Sequence, residues 1–343
     1  MAKAATSEKN TRSREALQGL DRDTLLRLMH IMLLIRRFEE PCDRYYRAGK
    51  MGGYIHYYIG QEAVATGIIP LFQPGDLMIA HYRDHGYALA LGTDPRRVMA
   101  ELFGRATGVA AGKGGSMHLV DVERGFLGGY GIVGGTIPLG VGAAFALKYQ
   151  GKPNICASFF GDGSMQQGVA HEAMNMAGLY KVPCLFILEN NGYAMGTSVA
   201  RHSAQTDFVQ RVTAGYNIKG ESVDGMDVLA VRAAAERILA QMRETGEPYF
   251  LEAITYRYAG HGYADNAQQQ KFYRTETEIE RWRERDPIQH FRQQLLAAGV
   301  TTEVELEAMD EACKAVVADA IEFADTSPFP SPDSLYEHVY TDM

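Results

Sequence analysis

The chain has 343 residues, 46% of them hydrophobic and 22% charged, enough apolar material for one large α/β domain or two modest ones. A formal net charge of −8 leaves no electrostatic footprint for nucleic acid or an anionic membrane surface. No stretch approaches the roughly 18–20 apolar residues of a membrane span. The four cysteines, Cys42, Cys156, Cys184 and Cys313, are scattered without CxxC or Cys/His spacing. They read as reduced core residues, and the expected location is cytoplasmic.

Residues 1–19 are polar and mixed in charge. They lack the apolar centre of a secretory signal, and Glu8 and Glu15 argue against an acid-poor transit peptide, so a flexible tail is expected. Within residues 21–46 the apolar run 25–35 predicts a largely buried helix with a charged end at Arg36, Arg37, Glu39 and Glu40. Residues 52–118 mix short apolar runs with glycine, which then dominates 108–142. That density implies sharp turns or close backbone approach.

The apolar run 155–160 reads as a strand, 167–179 as a helix and 184–188 as a second strand. Strand, helix and strand in this span make a βαβ unit with parallel strands. A helix over 227–243 and a strand over 249–256 continue the alternation. The expected fold is therefore α/β, a mostly parallel sheet flanked by helices. After Asn266 the character turns polar and helical, with capping boxes at Thr275/Glu278 and Thr302/Glu305, and Gly299 able to end the helix between. Pro328, Pro330 and Pro332 stop the last helix. Three regions follow: a tail over 1–19, an α/β domain over 20–266, and a helical extension over 267–343 packed on the same domain.

Three familiar signatures fail on inspection. GVAAGKGG (108–115) has three residues, not four, between its glycines, and Gly114 where a phosphate loop needs Ser or Thr. GYGIVG (129–134) matches the dinucleotide fingerprint, but the residues before it do not read as a strand. His171-Glu172 could open a zinc helix, yet residue 175 is Asn rather than the second His.

One constellation stands. Gly161-Asp162-Gly163 and Asn190-Asn191 are separated by the 26 residues 164–189. Each half lies at the carboxyl end of a predicted parallel strand, the edge where open α/β sheets bind ligands. Asp162 and Asn191 should thus sit side by side, offering hard oxygen ligands suited to magnesium that keeps phosphate oxygens in its shell. Gly163 lets the N–H groups that follow, at Ser164 and beyond, approach a diphosphate.

GDG, 26 residues and NN is the signature of thiamin-diphosphate enzymes. MGGYIHYYIGQEA (51–63), AHYRDHG (80–86), GKGGSMH (112–118), GGYGIVGGTIPLGVG (128–142), ENNGYAMGTS (189–198) and TYRYAGHG (255–262) resemble the alpha subunits of 2-oxo acid dehydrogenases, most nearly those that decarboxylate pyruvate. The resemblance runs over about residues 21–340. It implies that region 20–266 is a thiamin-diphosphate-binding domain.

The resemblance further implies that Asp162, Asn191 and the Tyr193 carbonyl hold Mg²⁺. Tyr82, Arg83 and His261 would hold the diphosphate, with Gly163 and Ser164 beside it. Gly131 and Val133 would lie on the pyrimidine side, and His56 near the thiazolium, with His56 and His261 as catalytic candidates. The acyl group of a small 2-oxo acid would pass to the lipoyl group of dihydrolipoyl acetyltransferase. A separate beta subunit would supply the glutamate that protonates the pyrimidine, in an α₂β₂ assembly, so the chain alone should be inactive. Acetoin and branched-chain 2-oxo acids are the alternative substrates within the family. Gly262 stands where eukaryotic members carry a phosphorylated serine, and residues 267–270 look like a small insertion.

Overall fold

The computed structural model describes residues 17, 19–265, 267–337 and 339. Most of the expected tail, 1–16 and 18, and the boundary residue Asn266 lie outside the described residues.

Six strands form one sheet: β1 (Leu77–His81), β2 (Phe126–Tyr130), β3 (Cys156–Gly161), β4 (Cys184–Asn190), β7 (Lys219–Asp224) and β8 (Tyr249–Ile254). Their order is β2-β1-β3-β4-β8-β7, and every pairing is parallel. A two-stranded hairpin, β5 (Tyr193–Ala194) and β6 (Thr197–Ser198), stands apart.

Strands β1, β3, β4 and β8 are largely apolar at consecutive positions because both faces of the sheet are covered there. Ala157, Phe159, Leu185, Ile187, Leu251 and Ala253 face one core, with side chains from helices Arg22–Glu39, Glu62–Ile68, Val228–Thr245 and Glu303–Thr326. The alternate residues Cys156, Phe160, Cys184, Phe186, Leu188 and Phe250 face the other, against helices Thr136–Tyr149, Gly168–Tyr180 and Phe208–Tyr216. All four cysteines are free and buried, as their apolar setting predicts. No helix of the described residues is long and apolar enough to cross a membrane.

The βαβ unit forms as expected, and the helix after Asp227 takes its cap from that side chain at Leu229 and Ala230 N–H. Several details differ. The N-terminal helix splits into Arg22–Glu39 and Cys42–Arg47 around Pro41, whose missing N–H cannot continue the first helix. Its charged end divides, with Glu40 exposed and Glu39 turned inward. Glu39 is buried, accepting from the Tyr58 and Ile59 N–H groups and lying 2.8 Å from His85 Nδ1. Of the two capping boxes only that of Thr302 and Glu305 closes. Thr275 caps its helix, but the Glu278 carboxylate accepts from the hydroxyls of Tyr193 and Tyr256 instead of reaching back.

The largest correction concerns the residues before GYGIVG: they form strand β2. The pattern hides it because Gly128 and Gly129 lie inside the strand. A Cβ on Gly129 would fall 1.8 Å from Asp84 Oδ2, so glycine there makes room for a buried carboxylate. The dinucleotide fingerprint gains its strand but not its place, since β2 is the edge of the sheet. The other near-miss, GVAAGKGG, does cradle an anion, and that anion is the protein's own. Glu101 is buried and accepts from the N–H groups of Ala110, Gly112, Gly114 and Gly115.

Candidate active site

The six parallel strands end at the same edge of the sheet, and five of them hand their next residues to one cavity of about 330 Å³. β1 is followed by Tyr82 and Arg83, β2 by Gly131 and Val133, β3 by Asp162, Gly163 and Ser164, and β4 by Asn191 and Tyr193. All of these line the cavity. The segment after β8 brings His261, and His56 enters from the loop before helix Glu62–Ile68. All eleven residues singled out in the sequence therefore share one space. The pairing of Gly161 with Glu189 across β3 and β4 puts the two halves of the GDG/NN signature on adjacent strand ends.

One end of the cavity offers oxygen. Asp162 is fully buried; His202 Nε2 sits 3.0 Å from its Oδ2, and its Oδ1 has no partner among the described residues. Asn191 donates from Nδ2 to Gln61 Oε1 at 3.1 Å, which leaves its amide oxygen toward Tyr193 N at 3.3 Å. A buried carboxylate oxygen without a donor is costly unless a cation meets it. An orphaned carboxylate oxygen beside an oriented amide oxygen suits a hard divalent ion such as magnesium. The Tyr193 hydroxyl is taken by Glu278, so its carbonyl is what this residue can offer a metal. A Cβ on Gly163 would meet Ala194 at 2.8 Å, so that glycine seats the β5–β6 hairpin against the signature loop. A Cβ on Gly161 would meet no protein atom and would stand in free space at the cavity wall.

The other end is cationic and aromatic. Arg83 is buried and donates to the Tyr57 carbonyl at 2.8 Å and to His261 Nδ1 at 3.3 Å. A guanidinium only donates, so Nδ1 accepts and the His261 proton sits on Nε2. Burial, then the charge of Arg83, holds the His261 imidazole far below its usual range. His56 is pushed down by the same two causes in the same order, and its Nδ1 is buried without a partner. Its ring lies 4.3 Å from Tyr82 and 4.9 Å, edge-on, from His261. Both imidazoles are thus held neutral, each with one N–H to donate and one ring nitrogen to accept a hydrogen bond.

The frame holding these rings escaped the sequence. The backbone around His56 is pinned by Glu39 on one side and on the other by the bonds Tyr258 N to Ile59 O and Tyr263 N to Ile55 O. Buried Glu189 accepts from Tyr58 and Tyr87 and lies 3.0 Å from His81, which also lines the cavity. Gln167, Ala194 and Met195 complete the wall, and Met195 has a left-handed backbone with φ of 51°. A non-glycine residue in that region is a mark of functional loops, but no sequence pattern announces it.

A family model described as dehydrogenase E1 component matches residues 30–333. Curated relatives carry the name pyruvate dehydrogenase E1 component subunit alpha. That of Rickettsia prowazekii (strain Madrid E) is 44% identical, covering 90% of this chain and 93% of the relative. That of Rhizobium meliloti (strain 1021) is 48% identical, covering 90% and 87%. That of Zymomonas mobilis subsp. mobilis is also 48% identical, covering 93% and 89%.

Proposed function

We propose a function from one premise: this chain belongs to the dehydrogenase E1 component family. It is the alpha subunit of a pyruvate dehydrogenase, an oxidoreductase that works with a beta subunit. The assembly decarboxylates pyruvate oxidatively with thiamin diphosphate and magnesium, and passes the acetyl group to the lipoyl group of dihydrolipoyl acetyltransferase. The name shared by relatives that align over nine-tenths of the chain carries this reading.

The cavity's residues take roles that fit it. Asp162 Oδ1, the Asn191 amide oxygen and the Tyr193 carbonyl hold magnesium. Arg83, Tyr82 and the Nε2–H of His261 bind the diphosphate, a fixed guanidinium and two donors on an anion. Gly163 and Ser164 border the same group, and Gly131 and Val133 flank the pyrimidine. When bound, the cofactor supplies a nucleophilic carbon and a sink for the electrons released with CO₂. His56, neutral and with Nδ1 unpartnered, holds or moves a proton beside the reacting carbon. An α/β domain over 20–266 and a helical extension over 267–343 are proposed as its organisation, and the cytoplasm as its location.

The test is dye reduction by the chain co-expressed with its beta-type partner, with thiamin diphosphate and magnesium present. Pyruvate should outpace acetoin and 2-oxoisovalerate by at least tenfold. A preference for either of the others moves the substrate within the family. No turnover of any, with cofactor bound in an intact assembly, refutes the enzymatic reading.

A further inference from the structure

We propose that His202 is a positioning residue for the metal, fixing the Asp162 carboxylate so that one oxygen stays bare toward the cavity. The proposal rests on the magnesium–thiamin diphosphate reading of the cavity given above.

His202 ends the short helix Val199–His202, eleven positions beyond Asn191. Its side chain is nearly buried, and its Nε2 lies 3.0 Å from Asp162 Oδ2. Among the described residues no other side chain bonds the Asp162 carboxylate, and the other ring nitrogen, Nδ1, is buried without a partner. The proton therefore belongs on Nε2, where it has an acceptor, leaving a lone pair rather than an unmet N–H at Nδ1. One bond to one oxygen fixes the rotation of the carboxylate and leaves Oδ1 as the free ligand.

The second ligand is treated the same way. Gln61 Oε1 accepts from the Asn191 amide nitrogen, so that its oxygen is the end left for a cation. Metal ligands depend on such outer partners for orientation. The segment 191–203 links both devices. It leaves Asn191, turns through β5 and β6, is tied by Val199 N to the Gly192 carbonyl, and returns with His202 to Asp162. Gln166, at the end of the turn that Asp162 opens, donates to Ser203 beside it at 3.0 Å. One segment thus carries two of the proposed ligands, Asn191 and Tyr193, and the anchor of the third. No motif in the sequence marks His202, because its partner lies 40 positions away.

The experiment titrates Mn²⁺ into the assembled alpha–beta enzyme with thiamin diphosphate present, reading bound metal from loss of the free-ion EPR signal. His202→Leu keeps the volume and removes the donor; His202→Gln keeps a donor at the same reach. The leucine variant should need about tenfold more metal or beyond for half-saturation, as loss of an outer partner does. The glutamine variant should return to within about threefold of the parent, and turnover at saturating metal should recover in both. Should the leucine variant fail to assemble, His202→Asn, too short to reach Asp162, takes its place. Unchanged metal affinity in the donorless variant overturns the proposal while leaving the cavity reading intact, and so does a glutamine variant as weak as leucine. An unsubstituted assembly that takes up no Mn²⁺ overturns both.

Discussion

Arg83 and His261 meet inside the cavity, guanidinium Nη2 to imidazole Nδ1 at 3.3 Å, although 178 positions separate them in the chain. The contact sets which nitrogen of His261 faces the ligand, and the second arm of the same guanidinium is spent on the Tyr57 carbonyl. Lysine keeps the charge but lacks the planar fork whose two nitrogens reach the two acceptors separately. Arg83→Lys should therefore weaken thiamin diphosphate binding by about tenfold to a hundredfold, the worth of one or two charge-assisted hydrogen bonds. Calorimetric titration of the assembled enzyme with cofactor measures it; affinity within twofold of the parent would refute the coupling.

Glu101 supports the glycine-rich loop 108–115 from beneath, with two N–H donors on each carboxylate oxygen. Glu101→Gln replaces one oxygen by an NH₂ that faces two donors. Buried donors left without an acceptor cost about 1–3 kcal/mol each. The variant should lose about 3 kcal/mol or more of stability. Amide exchange over 108–115 should rise well before exchange in β3 and β4, a contrast that peptide-level hydrogen exchange resolves.

Two opposing pH effects meet in this fold. His56 and His261 are depressed from 6.5, first by burial and then by Arg83. Below that value the unfolded chain binds protons that the folded one refuses, so stability is complete above about 6.5 and falls as pH drops. Asp84 runs the other way. Burial pushes it up from 3.8 to about 7, so its contribution is full below 3.8 and is lost as pH rises through 7. Urea midpoints of the cofactor-free assembly should show both. His261→Gln should flatten the decline below pH 6.5, and Asp84→Asn should flatten the loss on approaching pH 7. If each substitution leaves its own limb unchanged, the assignment fails.

What the sequence exposed and what it concealed divide along physical lines. Asp162, Asn191 and the β3–helix–β4 unit were legible because parallel pairing turns a fixed spacing into adjacency at one sheet edge. Glu39, Glu101 and Glu189 were not. A glutamate in a chain reads as solvent-facing, and only the fold shows these three buried under backbone N–H groups, tyrosine hydroxyls and histidine. Strand β2 was concealed by its own glycines, of which Gly129 makes room for Asp84, a residue more than forty positions earlier. Gln61 and His202 were invisible for the same reason: each acts on a ligand carried by another segment.

Gly262 offers a last test, because the family resemblance leads one to expect serine at this place in eukaryotic members. A Cβ on Gly262 would fall 2.2 Å from Tyr54 Cε1 and 2.9 Å from the Ile55 carbonyl oxygen. The tyrosine ring can swing, but Ile55 O also accepts from Tyr263 N and is fixed in the strand-like contact that holds the loop. The ring that would have to move already lies 4.8 Å from His56. Gly262→Ser should therefore displace the loop bearing His261 and crowd His56, lowering cofactor affinity by about tenfold while global stability falls by only about 1–3 kcal/mol, the usual cost of overpacking. A variant that binds thiamin diphosphate like the parent would show that the loop yields at this point, and that glycine is not what keeps His261 in register with Arg83.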